Sequence, residues 1–189
     1  RYRVEYKYYD DKSDQATAAN LTEKLITEDK VKYIFGPFSS DITFATSAIG
    51  VTVFPTATPE STQLRLVYPT ANLDQRTIYN VGFAGAFTPQ EVAPIEASTF
   101  HIGASVRGEV PLAVIETLAA KKTRVSLDVQ GFIRVNQAGE LIYAAWDEMP
   151  QVLRLVHVLK VDGAEAEFLT GKKDAPAAAR ILAAYGPEE

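Results

Sequence analysis

Strand-like and helix-like stretches alternate along most of this chain, and this alternation restricts the possible folds more than any other feature. Residues 99–103, 124–129 and 157–161 are short apolar runs of the kind that form buried strands. Stretches with apolar residues at helical spacing separate them, and one of these begins near Pro111. Because strand–helix–strand units make right-handed crossovers, the pattern predicts an α/β/α layered domain with a mostly parallel, Rossmann-like sheet.

The first 55 residues repeat the alternation on a smaller scale. Strand-like runs cover 4–9, 31–35 and 51–54, and helix-like runs begin after Ser13 and near residues 39–41. We expect this segment to donate two strands and two helices to the edge of the same sheet. The whole sheet would then hold about six or seven strands.

A protruding lid is predicted in the middle of the chain. Residues 63–68 and 76–81 are strand-like runs around a polar turn, as in a β-hairpin. Residues 131–145 are interpreted as an irregular or hairpin excursion. Asp147 and Asp174 are predicted to cap the helices that follow them. Ligands on such sheets bind beyond the carboxyl ends of the strands, so function is expected in the loops there.

Composition excludes several classes of function. Acidic residues (24) outnumber Lys and Arg (19), and the net charge of −5 argues against a nucleic-acid groove, which needs basic residues to neutralise phosphates. The chain has no cysteine and only two histidines, so disulfides and multi-histidine metal centres are excluded. No stretch approaches the roughly 20 apolar residues of a membrane helix. No export signal is visible in this sequence.

Residues 1–49 resemble part of a periplasmic binding protein of the branched-chain amino-acid transport class. The similarity is carried by residues 8–14 (YYDDKSD) and 31–40 (VKYIFGPFSS). It implies that Ser39 and Ser40 contact the backbone groups of a ligand. Both serines are also good helix N-caps, and this structural interpretation stays open.

Residues 50–189 resemble sugar kinases of the ribokinase, or PfkB, family. The matching stretches follow the order of that family and include 108–112 (GEVPL), 125–132 (VSLDVQGF) and 159–171 (LKVDGAEAEFLTG). The resemblance implies a ribokinase-like fold, a sugar as acceptor, ATP and Mg²⁺ as cofactors and a cytoplasmic location. It is compatible with a homodimer through the lid hairpin, and it implies no nucleic-acid or membrane partner.

The resemblance assigns five site residues by position. Glu109 corresponds to an acidic sugar contact, Arg76 lies in the lid over the sugar, and Asp128 ends the strand that faces the phosphates. Asp162 and Glu165 correspond to a motif that helps to place magnesium and phosphate, with Asp162 where the family has Asn. The acidic residues also have structural interpretations, since carboxylates stabilise helix N-termini and cap loops.

The family's anion hole and catalytic base come from a Gly-Ala-Gly-Asp run, and this sequence contains no such run. Phosphoryl transfer depends on positioning, metal and a placed base, so no catalytic residue is assigned and turnover near background is expected. The glycine-rich N-terminal segment of the family is also missing, and residues 1–49 stand in its place. The resemblance therefore implies an incomplete carbohydrate kinase.

Two other functions stay open. A solute-binding module of an ABC transporter would bind a branched-chain amino acid through the N-terminal segment. A non-functional hybrid would keep a foldable α/β sheet, because the two similar segments meet near residue 50. His101, His157 and Trp146 are interpreted as packing residues, since neither histidine lies in a nucleophile pattern.

Overall fold

The computed structural model describes residues 7–10, 12, 14–31, 52–71 and 75–189. The chain divides into two compact units, residues 1–57 and 58–189, which are described separately below. The sheet-edge placement expected for the first segment depends on the strand at 31–35 and the helix after 39–41. Those elements, together with Ser39 and Ser40, lie almost entirely outside the described residues.

In the first unit, one helix is described, α1 (Gln15–Thr27). Its N-cap is Asp14, whose carboxylate accepts a hydrogen bond from the backbone N–H of Thr17 at 2.8 Å. The helix therefore begins after Asp14, because the side chain of Asp14 makes the capping bond. Residues 52–54 form no strand, which also differs from the prediction. The proline at position 55 removes a backbone donor next to that run, and Phe54 is mostly exposed.

The second unit contains seven strands and six helices among the described residues. In chain order they are β1 (Gln63–Val67), β2 (Thr77–Gly82), α2 (Pro89–Val92), β3 (Thr99–Ile102), α3 (Leu112–Ala119), β4 (Arg124–Asp128), α4 (Gln130–Ile133), β5 (Arg134–Gln137), β6 (Glu140–Tyr143), α5 (Met149–Leu153), β7 (Val158–Lys160), α6 (Gly163–Thr170) and α7 (Ala175–Ala183). No helix in the described ranges is long and apolar enough to cross a membrane.

The central sheet is parallel, as predicted from the strand–helix alternation. Its order is β3-β4-β7, and the register pairs Ile102 with Leu127 and Asp128 with Lys160. Val125 and Leu127 on β4 are completely buried, because this strand lies between two neighbours and under helices. The packed core explains why the buried positions of this central strand are branched apolar residues. Because the three strands are parallel, their carboxyl ends lie side by side at the same edge of the sheet.

The predicted hairpin is confirmed, but it belongs to a larger sheet. The strands β1, β2, β6 and β5 pair antiparallel in that order and form what we call the lid sheet. The excursion at 131–145 contributes β5 and β6, which are joined by a tight turn. Ala138 and Gly139 both have positive φ in this turn (52° and 92°), as a two-residue hairpin requires. The seven described strands of this unit are therefore split between two sheets instead of one.

Two predicted helix caps had different outcomes. Asp174 caps α7, since its carboxylate accepts from the backbone N–H of Ala177 at 2.9 Å. Asp147 does not cap α5, whose N-cap is Glu148 without a side-chain cap bond. The helix begins one residue later than predicted, at Met149, with Pro150 in its first turn, where proline is well tolerated.

Replacing Asp174 with alanine should therefore destabilise the protein by about 1 kcal/mol, since the N–H groups at the start of α7 lose their acceptor. The matched change Asp147→Ala removes an exposed aspartate that caps nothing, and it should alter stability by less than about 0.5 kcal/mol. Urea denaturation followed by circular dichroism measures both. Equal losses in the two variants would contradict the cap assignment.

Candidate functional site

Four charged side chains meet at the carboxyl edge of β4 and β7. Asp128 ends β4 and Lys160 ends β7, and the Lys160 ammonium lies 2.9 Å from Asp128 Oδ2. The other oxygen of Asp128 accepts from the backbone N–H of Gln130 at 3.1 Å. Asp162 and Glu165 follow directly at the start of α6. These four residues, Asp128, Lys160, Asp162 and Glu165, are called the charged cluster below.

Asp162 and Glu165 cap α6 reciprocally. Asp162 Oδ1 accepts from the backbone N–H of Glu165, and Glu165 Oε2 accepts from the backbone N–H of Asp162, both at 2.8 Å. Such a capping box satisfies two donors at a helix start. Glu165 has no exposed surface, and its second oxygen, Oε1, is buried with no hydrogen-bond partner among the described residues. An unpartnered buried carboxylate oxygen costs folding free energy, and such groups are rare in native proteins unless they have a functional role.

The charges in the cluster influence one another. Burial raises the pKa of Glu165, and the nearby charges of Asp162 and Asp128 add to this, although the Asp162 N–H and the Lys160 ammonium oppose it. Burial lowers the pKa of Lys160, but its hydrogen bond and ion pair with Asp128 outweigh burial and the net direction is upward. The ammonium of Lys160 therefore stays charged at neutral pH.

Arg134 and Tyr143 face the charged cluster from the lid sheet. Arg134 is 7% exposed, it is paired with Tyr143 in the β5–β6 register, and its charge opposes the upward shift of the Tyr143 pKa. Burial raises the pKa of Tyr143, and the charge of Glu165 contributes further. Sequence reasoning assigned none of Arg134, Tyr143 or Lys160. A usable signal existed for Arg134, which is a lone charge at the end of the apolar run 131–133.

Glu109 lies on the loop after β3 and is held on both oxygens. Its Oε1 accepts from the hydroxyl of Thr62 at 2.6 Å, and its Oε2 accepts from the backbone N–H groups of Ser105 (2.6 Å) and Val106 (3.2 Å). These partners belong to the base of the lid and to its own loop. Within the described residues, no hydrogen bond or ion pair joins Glu109 to the charged cluster.

Glu109 also lines a pocket of about 420 Å³. Its walls are mostly apolar side chains of α2, β3 and α3, with Glu109, Ser105 and His101 as its polar members. The apolar lining residues are Phe87, Val92, Ile95, Phe100, Ile102, Ala104, Val110, Val114 and Leu118. A pocket of this size and composition is typical of small-molecule sites.

The other residues singled out in the sequence lie outside the charged cluster. Arg76 is exposed directly before β2. His101 Nδ1 lies 3.0 Å from the hydroxyl of Ser126, and His157 Nδ1 accepts from the backbone N–H of Val125 at 3.1 Å. Trp146 is buried against Phe132, with ring centroids 5.0 Å apart.

Comparison with known families gives two results for this chain. A family model described as periplasmic binding protein matches residues 1–93, just under half of the chain. This match passes both the predicted junction at residue 50 and the unit boundary at residue 57. No curated protein matches the chain.

Solved structures give the second result. The sulfate complex of a pyrophosphate-dependent kinase in the ribokinase family is 28% identical, with a TM-score of 0.73, over 92% of this chain and 62% of that one. A pyrophosphate-dependent kinase in the ribokinase family, complexed with a pyrophosphate analog and myo-inositol, is 30% identical, with a TM-score of 0.68, over 79% and 52%. A pyrophosphate-dependent myo-inositol-1 kinase converted into a myo-inositol-3 kinase is 31% identical, with a TM-score of 0.68, over 79% and 50%.

The fold is ribokinase-like. The resemblance of the N-terminal segment to periplasmic binding proteins is confirmed as well, at the level of the broad family. A ribokinase-like match over 92% of the chain also extends into residues 1–49, so the two likenesses overlap. The chain spans between 50% and 62% of the length of the similar kinases.

The charged cluster offers limited room for magnesium. The described residues contain no group of three or more His, Cys, Asp or Glu side chains that could hold a metal ion. The capping box uses one oxygen each of Asp162 and Glu165, and the other oxygen of Glu165 is buried. Mg²⁺ keeps most of its waters and needs only one or two carboxylates. The exposed Asp162 therefore fits a hydrated ion. Direct coordination by Glu165 would require the residues packed around its carboxylate to move apart.

Proposed function

We propose that residues 58–189 form the phosphate-facing and acceptor-facing part of a ribokinase-type kinase that binds its ligands but transfers phosphate at a rate near background. The observation that carries this proposal is the charged cluster at the carboxyl edge of the parallel sheet. Parallel α/β sheets bind ligands at that edge. The expectation of a low rate rests on residues 1–189 containing no Gly-Ala-Gly-Asp run, because a placed base is part of phosphoryl transfer.

Lys160 is the group that would meet the phosphate donor. Its ammonium is a fixed positive charge beside Asp128, about half exposed, at the end of a rigid strand. A lysine ammonium binds phosphate as a point charge. Asp128 holds the ammonium in place and keeps it protonated. Asp162 would hold a hydrated Mg²⁺, which when bound neutralises charge on the donor phosphates.

The donor proposed first is inorganic pyrophosphate, with ATP as the alternative. The similar solved kinases are described as pyrophosphate-dependent, which supports this order. Either donor brings anionic oxygens that need the same ammonium. Titration with both donors therefore separates the two without changing the assigned residues.

The acceptor proposed is a polyol or sugar near Glu109. One similar kinase was solved with myo-inositol, which supports a cyclic polyol as the first compound to test. The Glu109 carboxylate is fixed by three donors, and its oxygens retain lone pairs for a hydroxyl. Arg76, exposed before β2, would act from the lid.

The decisive experiment measures donor binding by calorimetry with Mg²⁺ present. Lys160→Met should weaken pyrophosphate binding at least about tenfold, since loss of one charge-assisted hydrogen bond is worth roughly 1.5–3 kcal/mol. Lys172→Met removes an exposed lysine on the loop after α6 and should leave binding unchanged. Wild-type protein that binds neither donor would contradict the proposal.

Turnover is tested on the same samples by phosphorus NMR with myo-inositol as acceptor. We expect a rate near the uncatalysed background with either donor. A robust rate would overturn the inference drawn from the missing run, while leaving the donor-binding result intact.

A second candidate is amino-acid binding by the N-terminal segment, which the match at residues 1–93 favours. The serines implied in ligand contact, Ser39 and Ser40, lie outside the described residues. A titration with leucine in the same calorimeter separates this candidate from the kinase. Tight leucine binding with no response to either phosphate donor would favour it.

A further inference from the structure

We propose that the loop between β3 and α3 fastens the lid sheet at two separate points, and that Thr62 is the latch residue of the first. Thr62 lies directly before β1, and Ala84 lies two residues after β2. The backbone N–H of Ala84 donates to the hydroxyl of Thr62 at 3.1 Å, and that hydroxyl donates to Glu109 at 2.6 Å. One hydroxyl therefore ties both ends of the β1–β2 hairpin to the loop.

The direction of this hydrogen-bond chain is fixed by chemistry. An ionised carboxylate only accepts, so the single proton of the Thr62 hydroxyl is committed to Glu109, and its lone pair is free to accept from Ala84. The carboxylate is itself fixed by the N–H groups of Ser105 and Val106. The hydrogen bond from Thr62 thus orients the Glu109 carboxylate. In return, the fixed carboxylate holds Thr62 and the base of the lid against the loop.

The second fastening point is Arg107. Its Nε donates to the carbonyl of Phe132 at 2.5 Å, and its Nη2 donates to the carbonyl of Ala144 at 2.7 Å. Its backbone N–H donates to the carbonyl of Arg134 at 2.8 Å. These carbonyls flank the two ends of the β5–β6 hairpin. Arg107 and Glu109 are two residues apart, so one short loop holds both halves of the lid sheet.

The two halves are joined to each other only weakly. The β2–β6 ladder has a single register pair, Tyr79 with Glu140, extended by the N–H of Asn80 donating to the carbonyl of Gly139. Four of the five residues of β1 are exposed, so little apolar burial holds this hairpin. Isolated two-stranded hairpins are marginal in water. The latch should therefore decide how often the β1–β2 hairpin opens.

Amide hydrogen exchange with mass spectrometry tests this in the intact chain. Thr62→Val keeps the shape of the side chain and removes the hydroxyl. Loss of the hydroxyl's hydrogen bonds makes opening of the hairpin easier. Amide exchange in β1 and β2 should therefore become about tenfold faster, which corresponds to a loss of about 1.4 kcal/mol in the free energy of opening. Exchange in β3, β4 and β7 should not change. Thr62→Ser should restore the slow rate. Thr117→Val is the matched control, since within the described part of the chain that hydroxyl bonds the carbonyl of Ala113 inside α3 and no residue of the lid sheet.

Arg107→Met should instead speed exchange in β5 and β6 more than in β1 and β2. Unchanged exchange in Thr62→Val, or equal acceleration of every strand, would overturn the latch. A second arm rests on the proposed function and adds pyrophosphate and myo-inositol. We expect these ligands to slow exchange in the wild-type hairpin and to slow it less in Thr62→Val. No ligand effect in any variant would count against the proposed function, while the unliganded rates would still decide the latch.

Discussion

Replacing Gly131 with alanine is expected to destabilise the second unit by about 3 kcal/mol, because the site has no room for a side chain. A Cβ placed there would lie 2.3 Å from the carbonyl oxygen of Ala104 and 2.4 Å from its carbonyl carbon and its Cβ. Two of these atoms are backbone, so no side-chain rotation relieves the clash. The loop after β3 and the start of α4 would have to separate.

The separation would also disturb the site. Ala104 lies near the start of the loop that carries Arg107 and Glu109, and Gly131 lies three residues after Asp128. Their close approach brings the loops after β3 and β4 together. We therefore expect Gly131→Ala to weaken donor binding as well as stability. Urea denaturation measures the loss of stability, and calorimetry measures the loss of binding.

The matched control is Gly163→Ala at the first residue of α6. A Cβ there meets nothing within 4 Å, and its φ is not positive. Alanine suits a helix better than glycine, so this change should be neutral or stabilising by up to about 1 kcal/mol. If Gly131→Ala were as stable as Gly163→Ala, the close packing of the two loops would be wrong.

The sequence is sufficient to predict the parallel sheet. Strands β3, β4 and β7 each carry apolar residues, and the complete burial of Val125 and Leu127 is typical of a central parallel strand. The end of α6 was equally predictable, since Gly171 adopts a left-handed conformation (φ 69°) that favours glycine. These features depend on residue type and on the pattern of neighbouring residues, and both can be read from the sequence.

The lid sheet could be predicted only in part. The β1–β2 hairpin joins two strands that are close in sequence, and the composition of each strand is sufficient to predict it. The pairing of β2 with β6 joins Tyr79 to Glu140 across a long stretch of chain, and nothing in either strand specifies that partner. Long-range register depends on the packing of the whole unit, so the division into two sheets was not foreseen.

The candidate site shows the same limit. The positions of Asp128, Asp162 and Glu165 followed from a family resemblance, and the structure brings these three together. The pairing of Lys160 with Asp128 follows from the parallel register, which the sequence does not state. Full burial of Glu165 was also unforeseen, because an acidic residue in a first helical turn is usually solvated.

That buried carboxylate leads to an expected pH dependence. Because burial raises the pKa of Glu165 in the folded state, the folded protein holds this proton more tightly than the unfolded chain does. As pH rises from the ordinary pKa of a glutamate, about 4.3, the unfolded chain releases the proton first. The free energy of unfolding therefore falls over this window, and the loss is complete above the folded-state pKa.

Glu165→Gln should remove this fall. The amide oxygen of glutamine can still accept from the backbone N–H of Asp162, so the capping bond is kept while the charge is lost. The stability of this variant relative to wild type should consequently increase as the pH is raised from acid to neutral. Urea denaturation at a series of pH values measures the difference.

The control for this experiment is Glu167→Gln, two residues along the same helix. Glu167 is exposed, and its partner is the exposed Lys173 at 3.7 Å. Exposed ion pairs contribute little, so this variant should follow the pH profile of wild type. If Glu165→Gln also followed that profile, the carboxylate would be solvated in the folded protein. It would then be free to take part in binding magnesium, and the hydrated ion assigned to Asp162 alone would have to be reassigned to the pair.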